Sequence, residues 1–228
     1  MRSPHAALLF DFDGTLADTA ADLSAAVNAM LVARGLAALP LDALRPWASH
    51  GTRGLVGAAF GIRPGDADYD AFKDEFLQRY ESKLCVETQI FPALEPLLAR
   101  CERIGLPWGI VTNKGKRFTE PLIDAMGLRS RIAVVVSGDT TPHAKPHAAP
   151  LLHAAKVIGI DPALCVYVGD DERDILAGRA AGMRTIAVDW GYSANQSPAS
   201  WNADALAERP EDLETVLNRW KFFAAYPS

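Results

Sequence analysis

Ala7-Leu8-Leu9-Phe10-Asp11-Phe12-Asp13-Gly14-Thr15-Leu16 is the stretch on which the reading of this chain turns. Four apolar residues run without a break into a polar, turn-prone segment that carries two carboxylates, two positions apart. The run is too short for a helix and reads as a buried strand that delivers Asp11 and Asp13 at its carboxyl end. The layout recurs downstream. Trp108-Gly109-Ile110-Val111 ends in Thr112-Asn113-Lys114, residues 132–136 end in Ser137-Gly138-Asp139, and Cys165-Val166-Tyr167-Val168 ends in Gly169-Asp170-Asp171. A fifth run, 185–188, ends in Asp189.

Helical periodicity fills the intervals at 94–104, 118–126, 148–158 and 171–181, closed by Gly105, Gly127, Gly159 and Gly182. Strands alternating with helices of this length predict an α/β fold, a doubly wound, Rossmann-like parallel sheet with helices on both faces. Continuous rather than alternating hydrophobicity in the strands agrees, since such strands are buried on both sides. One segment breaks the rhythm: from 19 to 84 the pattern is helical throughout, with helices expected at 20–33, 41–47, 54–60 and 69–84. This predicts an inserted α-helical subdomain at 19–85, with the core made of 1–18 and 86–228. After residue 193 a loop-like tail (Asn195, Ser197, Pro198, Ser200) precedes a last helix at 210–220.

Composition narrows the function classes. Of 228 residues, 49% are hydrophobic and 22% charged, an ordinary globular balance that can bury a large core. A net charge of −5 argues against nucleic acid or an anionic membrane as partner and favours a small molecule. The five tryptophans show no spacing suited to base stacking and read as packing. Cys85, Cys101 and Cys165 are odd in number and widely spaced, which fits neither a disulfide framework nor a zinc pattern. The apolar run after Arg2 is shorter than a secretory h-region, so no secretory leader is expected, and no stretch approaches the ~20 apolar residues of a membrane span. A cytoplasmic protein, monomer or homodimer, is expected.

In an open parallel sheet, ligands bind beyond the carboxyl ends of the strands. Asp11, Asp13, Thr112, Asn113, Asp170 and Asp174 therefore converge, with Lys145 as the cation of the loop after the third strand. Clustered carboxylates repel one another unless a cation joins them, and a hard ion with oxygen ligands, Mg²⁺ above all, suits them. The set lacks the histidine and exposed serine of an acyl-transfer triad. An aspartate attacking phosphorus becomes feasible once a metal and Lys145 offset the repulsion between the two anions.

Asp11-Phe12-Asp13-Gly14-Thr15-Leu16, Thr112-Asn113, Lys145-Pro146 and Gly169-Asp170-Asp171 with Asp174 together resemble the four ordered motifs of the haloacid dehalogenase superfamily. The inserted helical segment is similar to that family's cap. The resemblance implies a Mg²⁺-dependent phosphatase that forms a phospho-aspartyl intermediate on Asp11, with the metal held by Asp11, the Asp13 backbone carbonyl and Asp170, supported by Asp174. It implies that Asp13 is the acid and base, and that Thr112, backbone N–H groups near Asn113 and Lys145 bind the phosphoryl oxygens. Asp171 stands where a serine or threonine is common, which leaves open which acid of that motif meets the metal. Asp13 itself argues against a dehalogenase and a phosphonate hydrolase.

The chain looks like the phosphoglycolate phosphatase branch, and residues 108–114 with Arg117-Phe118 are similar to relatives acting on N-acetylmuramic acid 6-phosphate. Both substrates carry a carboxylate. His50, Gly51, Thr52 and Arg53 form a polar stretch expected to be a loop over the site, with Arg53 the expected partner of that carboxylate, helped by His50. The other readings are a phosphomutase and a non-catalytic phosphate-binding protein. Lys114, Lys116 and Arg117 read either as entrance residues or as a solvated helix start.

Overall fold

The computed structural model describes residues 6–193, 197–224 and 226; Arg2 and Asn195 lie outside the described residues. Strand β1 (Ala7–Phe10) is wholly buried and pairs in parallel with β4 (Trp108–Val111) on one side and β6 (Cys165–Gly169) on the other. β5 (Val134–Val136), β7 (Arg184–Val188) and β8 (Ala205–Ala207) complete a parallel sheet of order β5-β4-β1-β6-β7-β8 among the described residues. The order reverses beside β1, so the crevice of this doubly wound sheet opens between the ends of β1 and β6.

Successive strand residues face opposite sides, which builds two apolar layers. Leu8 and Phe10 join Val166 and Val168 in the layer covered by α5 (Glu95–Ile104), α6 (Lys116–Ala125) and α9 (Asp212–Arg219). Ala7, Leu9 and Tyr167 join the layer covered by α7 (Ala149–Ile158) and α8 (Glu172–Ala180). Gly105, Gly127, Gly159 and Gly182 follow α5, α6, α7 and α8 with φ of 71, 67, 76 and 75°, a left-handed stop that glycine adopts without steric cost.

Helices α1 (Ala20–Ala33), α2 (Leu41–Leu44), α3 (Gly51–Phe60) and α4 (Tyr69–Glu81) share a separate apolar cluster built on Leu23, Val27, Met30, Leu55 and Phe76. Two short strands, β2 (Ala17–Asp18) and β3 (Gln89–Ile90), pair antiparallel where the chain leaves the sheet for these helices and returns. Asp22 fastens the return: its carboxylate accepts from the backbone N–H of Val86, Glu87 and Thr88 and from the Thr88 hydroxyl, at 2.7 to 3.1 Å.

The expected 41–47 helix is α2 continued by a 3-10 turn, Arg45–His50, with Pro46 in its first turn; that turn runs directly into α3. The stretch 50–53 is therefore not a loop: His50 ends the turn and Gly51, at φ 55°, starts the helix. The tail read as loop holds a 3-10 turn, Pro198–Trp201, and the edge strand β8. No described helix is long and apolar enough to cross a membrane. The described part of the chain holds Cys85, Cys101 and Cys165 as free thiols, the last two buried.

Candidate active site

The Asp11 N–H donates to the Val168 carbonyl at 2.9 Å, which locks the first acidic loop to the strand that carries Asp170. As a result Asp11, Asp170 and Asp174 present carboxylate oxygens within 4.8 Å of one another. Lys145 is buried among them, its Nζ 2.6 Å from Asp174 Oδ1 and 2.9 Å from Asp11 Oδ1. An ammonium has three hydrogens. They serve Asp174, the Val111 carbonyl at 3.0 Å and the Tyr167 hydroxyl at 2.8 Å, so Asp11 Oδ1 feels the charge but takes no aligned hydrogen bond. Its lone pairs stay available.

Three buried carboxylates and one ammonium leave negative charge in excess, and the titration of the cluster responds to it. Asp170 is pushed up from the usual carboxylate range, first by burial and then by the Asp11 charge, against the Tyr192 N–H and Thr15 hydroxyl that favour its ionised form. Burial likewise pushes Asp174 up; Lys145 opposes that, while the charges of Asp11 and Asp170 add to it. Burial alone would discharge Lys145, but Asp11 and Asp174 outweigh it and the ammonium is held charged. A cluster of hard oxygen donors short of two positive charges when fully ionised, with an open lone pair on Asp11, fits a hard divalent cation.

The other acids have separate posts. Asp170 Oδ1 accepts from Thr15 Oγ1 at 2.9 Å, and its Oδ2 from the Tyr192 N–H at 2.8 Å and from Ser49 Oγ, in the 3-10 turn before α3, at 3.1 Å. Gly14 has φ 81°, and a Cβ there would lie 2.5 Å from Asp170 Oδ2, so the acidic loop can pass this close only with glycine. Asp171 caps α8 through the Arg173 N–H at 2.8 Å and pairs with the Arg173 guanidinium at 2.7 Å. Burial raises its pKa, but that pairing outweighs burial and holds it below the usual range. Asp170 and Asp174, not Asp171, are thus the acids of the cluster.

Thr112 Oγ1 accepts the Lys114 N–H at 3.1 Å, which leaves its own hydrogen to donate into the cavity. The Asn113 side chain is fully engaged with the Lys145 backbone, donating to its carbonyl at 3.0 Å and accepting its N–H at 2.9 Å. It therefore positions Lys145, and the Asn113 backbone N–H has no acceptor among the described residues. Asp13 Oδ1 accepts from Thr19 Oγ1 at 2.6 Å and lies 3.1 Å from Lys114 Nζ; its Oδ2 has no partner among the described residues.

A cavity of about 300 Å³ lies over these groups. Asp11, Asp13, Thr112 and Lys145 form its floor, and Ser49, His50, Gly51, Thr52, Phe76 and Tyr80 its roof. Arg53 does not line it. His50, Gly51 and Thr52 line the site, while Arg53 is exposed to solvent. His50 is a weak cation: burial and then the Arg173 charge push its pKa down. Besides Lys145 on the floor, two further strongly basic residues line the cavity, Lys114 and Arg173. Arg173 also donates to the Ser49 carbonyl at 3.0 Å, which docks the turn before α3 onto the core. Its place was not legible in the sequence; Lys114 could have been found from its position directly after Thr112-Asn113 at a strand end.

The family model described as haloacid dehalogenase-like hydrolase matches residues 8–188. The chain is 48% identical to a phosphoglycolate phosphatase of Xanthomonas campestris pv. campestris, over 93% of this chain and 96% of the relative. It is 42% identical to an N-acetylmuramic acid 6-phosphate phosphatase of Pseudomonas putida, over 93% and 96%. The crystal structure of a predicted phosphoglycolate phosphatase from Haemophilus somnus superposes with a TM-score of 0.80 at 25% identity, covering 93% of this chain and 97% of the other.

Proposed function

The chain belongs to the haloacid dehalogenase-like hydrolase family, and from that premise we propose that it is a Mg²⁺-dependent phosphatase of small, carboxylate-bearing phosphate monoesters such as 2-phosphoglycolate. The observation that carries the reading is Asp11: a largely buried carboxylate 2.9 Å from an ammonium, with no aligned hydrogen bond on that oxygen, at the centre of an acid cluster. A carboxylate so placed, beside a cation and with an oxygen free of aligned donors, is open to attack an electrophile.

Asp11 attacks phosphorus, the bond to the ester oxygen breaks, and Asp13 Oδ2 gives its proton to the departing alcohol. Water then attacks the phosphoryl group on Asp11, loses a proton to Asp13, and frees Asp11 and inorganic phosphate. Thr112 Oγ1, the Asn113 N–H and Lys145 hold the phosphoryl oxygens. Asp11, Asp170 and the Asp13 backbone carbonyl would hold Mg²⁺, with Asp174 in support. Bound there, the ion supplies positive charge that offsets the repulsion between carboxylate and phosphate. We read residues 19–85 as the cap that excludes water, on the strength of their separate apolar cluster and the Ser49 contact to Asp170.

A second reading, an N-acetylmuramic acid 6-phosphate phosphatase, is favoured by the 42% identity to that enzyme of Pseudomonas putida and by the apolar roof residue Phe76 and its neighbour Leu77. The deciding experiment compares kcat/KM at saturating Mg²⁺ on 2-phosphoglycolate, N-acetylmuramic acid 6-phosphate, a neutral sugar phosphate and p-nitrophenyl phosphate. A carboxylate-bearing ester is expected to lead; a neutral sugar phosphate in first place contradicts the proposal.

The cation requirement has a readout without turnover. The raised Asp170 and Asp174 bind protons in the folded state that the unfolded chain has released. Stability of the metal-free protein therefore falls as pH rises from the ordinary carboxylate range through their raised values. Mg²⁺ replaces those protons, so its effect on Tm is expected to be larger at pH 8 than at pH 5. At a hundred times its dissociation constant the gain is about 2.7 kcal/mol, roughly 2–4 °C per kcal/mol for a chain of this size. An equal shift at both pH values, measured by calorimetry, would show that the cluster does not take up the ion.

A further inference from the structure

Lys114 and Tyr80 meet inside the cavity, one from the loop after β4 and the other from α4. Lys114 Nζ donates to the Tyr80 hydroxyl at 3.1 Å and lies 4.7 Å from the centre of its ring. The side chain of Lys114 is 8% exposed, and the ammonium lies 3.1 Å from Asp13 Oδ1. Each partner keeps a donor in hand. An ammonium has three hydrogens, and among the described residues Lys114 Nζ has two partners, Tyr80 and Asp13. The Tyr80 hydroxyl accepts from Lys114, and no acceptor for its own hydrogen is found among the described residues. Both side chains line the cavity. A buried cation and a buried hydroxyl, each with a donor to give, are costly to leave unmatched and call for an anionic acceptor.

Their position fixes how far that acceptor stands from the reacting bond. Asp13 Oδ1 is taken by Thr19 and Lys114, so the leaving oxygen meets Oδ2 of the same carboxylate. A group one or two carbons from that leaving oxygen then comes within hydrogen-bond reach of Lys114 and Tyr80, while one across a sugar ring does not. We propose that Lys114 and Tyr80 form the subsite for a substrate carboxylate attached within two carbons of the ester oxygen, making short 2-phospho-carboxylic acids the preferred class. The inference rests on the phosphatase reading above and replaces Arg53, which is exposed outside the cavity, as the carboxylate partner.

The test is a discrimination ratio, kcat/KM on 2-phosphoglycolate divided by kcat/KM on ethyl phosphate, which lacks the carboxylate. It is measured for the wild type and for Lys114→Met, Tyr80→Phe and Arg53→Ala. Lys114→Met is expected to lower the ratio by about tenfold or more, the worth of a charge-assisted hydrogen bond. Tyr80→Phe keeps the ring packed against Phe76 and Phe118, and is expected to lower the ratio by about three- to tenfold. This second variant preserves the test if Lys114→Met does not fold. A ratio unchanged in the folded variants overturns the subsite. So does a ratio that falls with Arg53→Ala instead, or a wild type that prefers N-acetylmuramic acid 6-phosphate to 2-phosphoglycolate. Absence of wild-type turnover on ethyl phosphate, 2-phosphoglycolate and p-nitrophenyl phosphate alike would instead sink the phosphatase reading itself.

Discussion

Replacing Asp11 with Asn is expected to remove turnover by a factor of about 10³ or more, since a lost nucleophile costs far more than a lost contact. The amide cannot attack phosphorus. The fold should survive, because Lys145 keeps its bonds to Asp174, Val111 and Tyr167, and one fewer charge in the cluster relieves Asp170 and Asp174. Unchanged circular dichroism and Tm, with activity below about a thousandth of wild type, is the expected pair of results. Retention of more than about a hundredth would show that Asp11 only holds the metal.

Asp13→Asn tests the proton transfer, which is typically worth ~10²–10⁴ in rate. The loss should fall on alkyl phosphates, whose alkoxide cannot leave without a proton, and should be much smaller for release of p-nitrophenolate. Asn can still accept from Thr19 Oγ1, so the loop geometry at the start of the cap is kept. Equal losses on both leaving groups would mean that Asp13 works through the position of its backbone or of Lys114 rather than through its proton.

The residues legible in advance were those whose chemistry is written into local pattern. Asp11, Asp13, Thr112 and Asp170 follow apolar runs directly, so the strand that buries the run also places the polar group at its carboxyl end. The glycine after each core helix marked where the helix stops for a reason of backbone sterics, and those positions agree with α5 to α8 within a residue or two. Function at the level of a hydrolase of this family was legible for the same reason, since four such endings occur in order.

What failed to show depends on long-range packing. β2, β3 and β8 are two or three residues long, too short to carry a period, and form because other strands offer them hydrogen bonds. The helix phase at 50–53 depends on the 3-10 turn before it; one residue of rotation sends Arg53 to solvent and keeps Thr52 at the site. Lys114 read equally as an entrance residue or a solvated helix start, because nothing nearby in sequence reveals that Tyr80, 34 residues earlier, comes to meet it. Asn113 looked like a phosphate ligand, and only the fold shows its side chain bound to the Lys145 backbone, 32 residues on.

The central claim is a phosphoryl group carried on Asp11, and the Asp13→Asn variant provides the means to see it. Without the base that activates water, the intermediate should accumulate after a burst of p-nitrophenolate. Acid quenching, borohydride reduction and peptide mass spectrometry would then convert an aspartyl phosphate to homoserine at the modified position. Homoserine at residue 11, in an amount matching the burst and absent from the Asp11→Asn variant, is the predicted result; a burst with residue 11 unmodified, or with the modification on another carboxylate, would contradict the account.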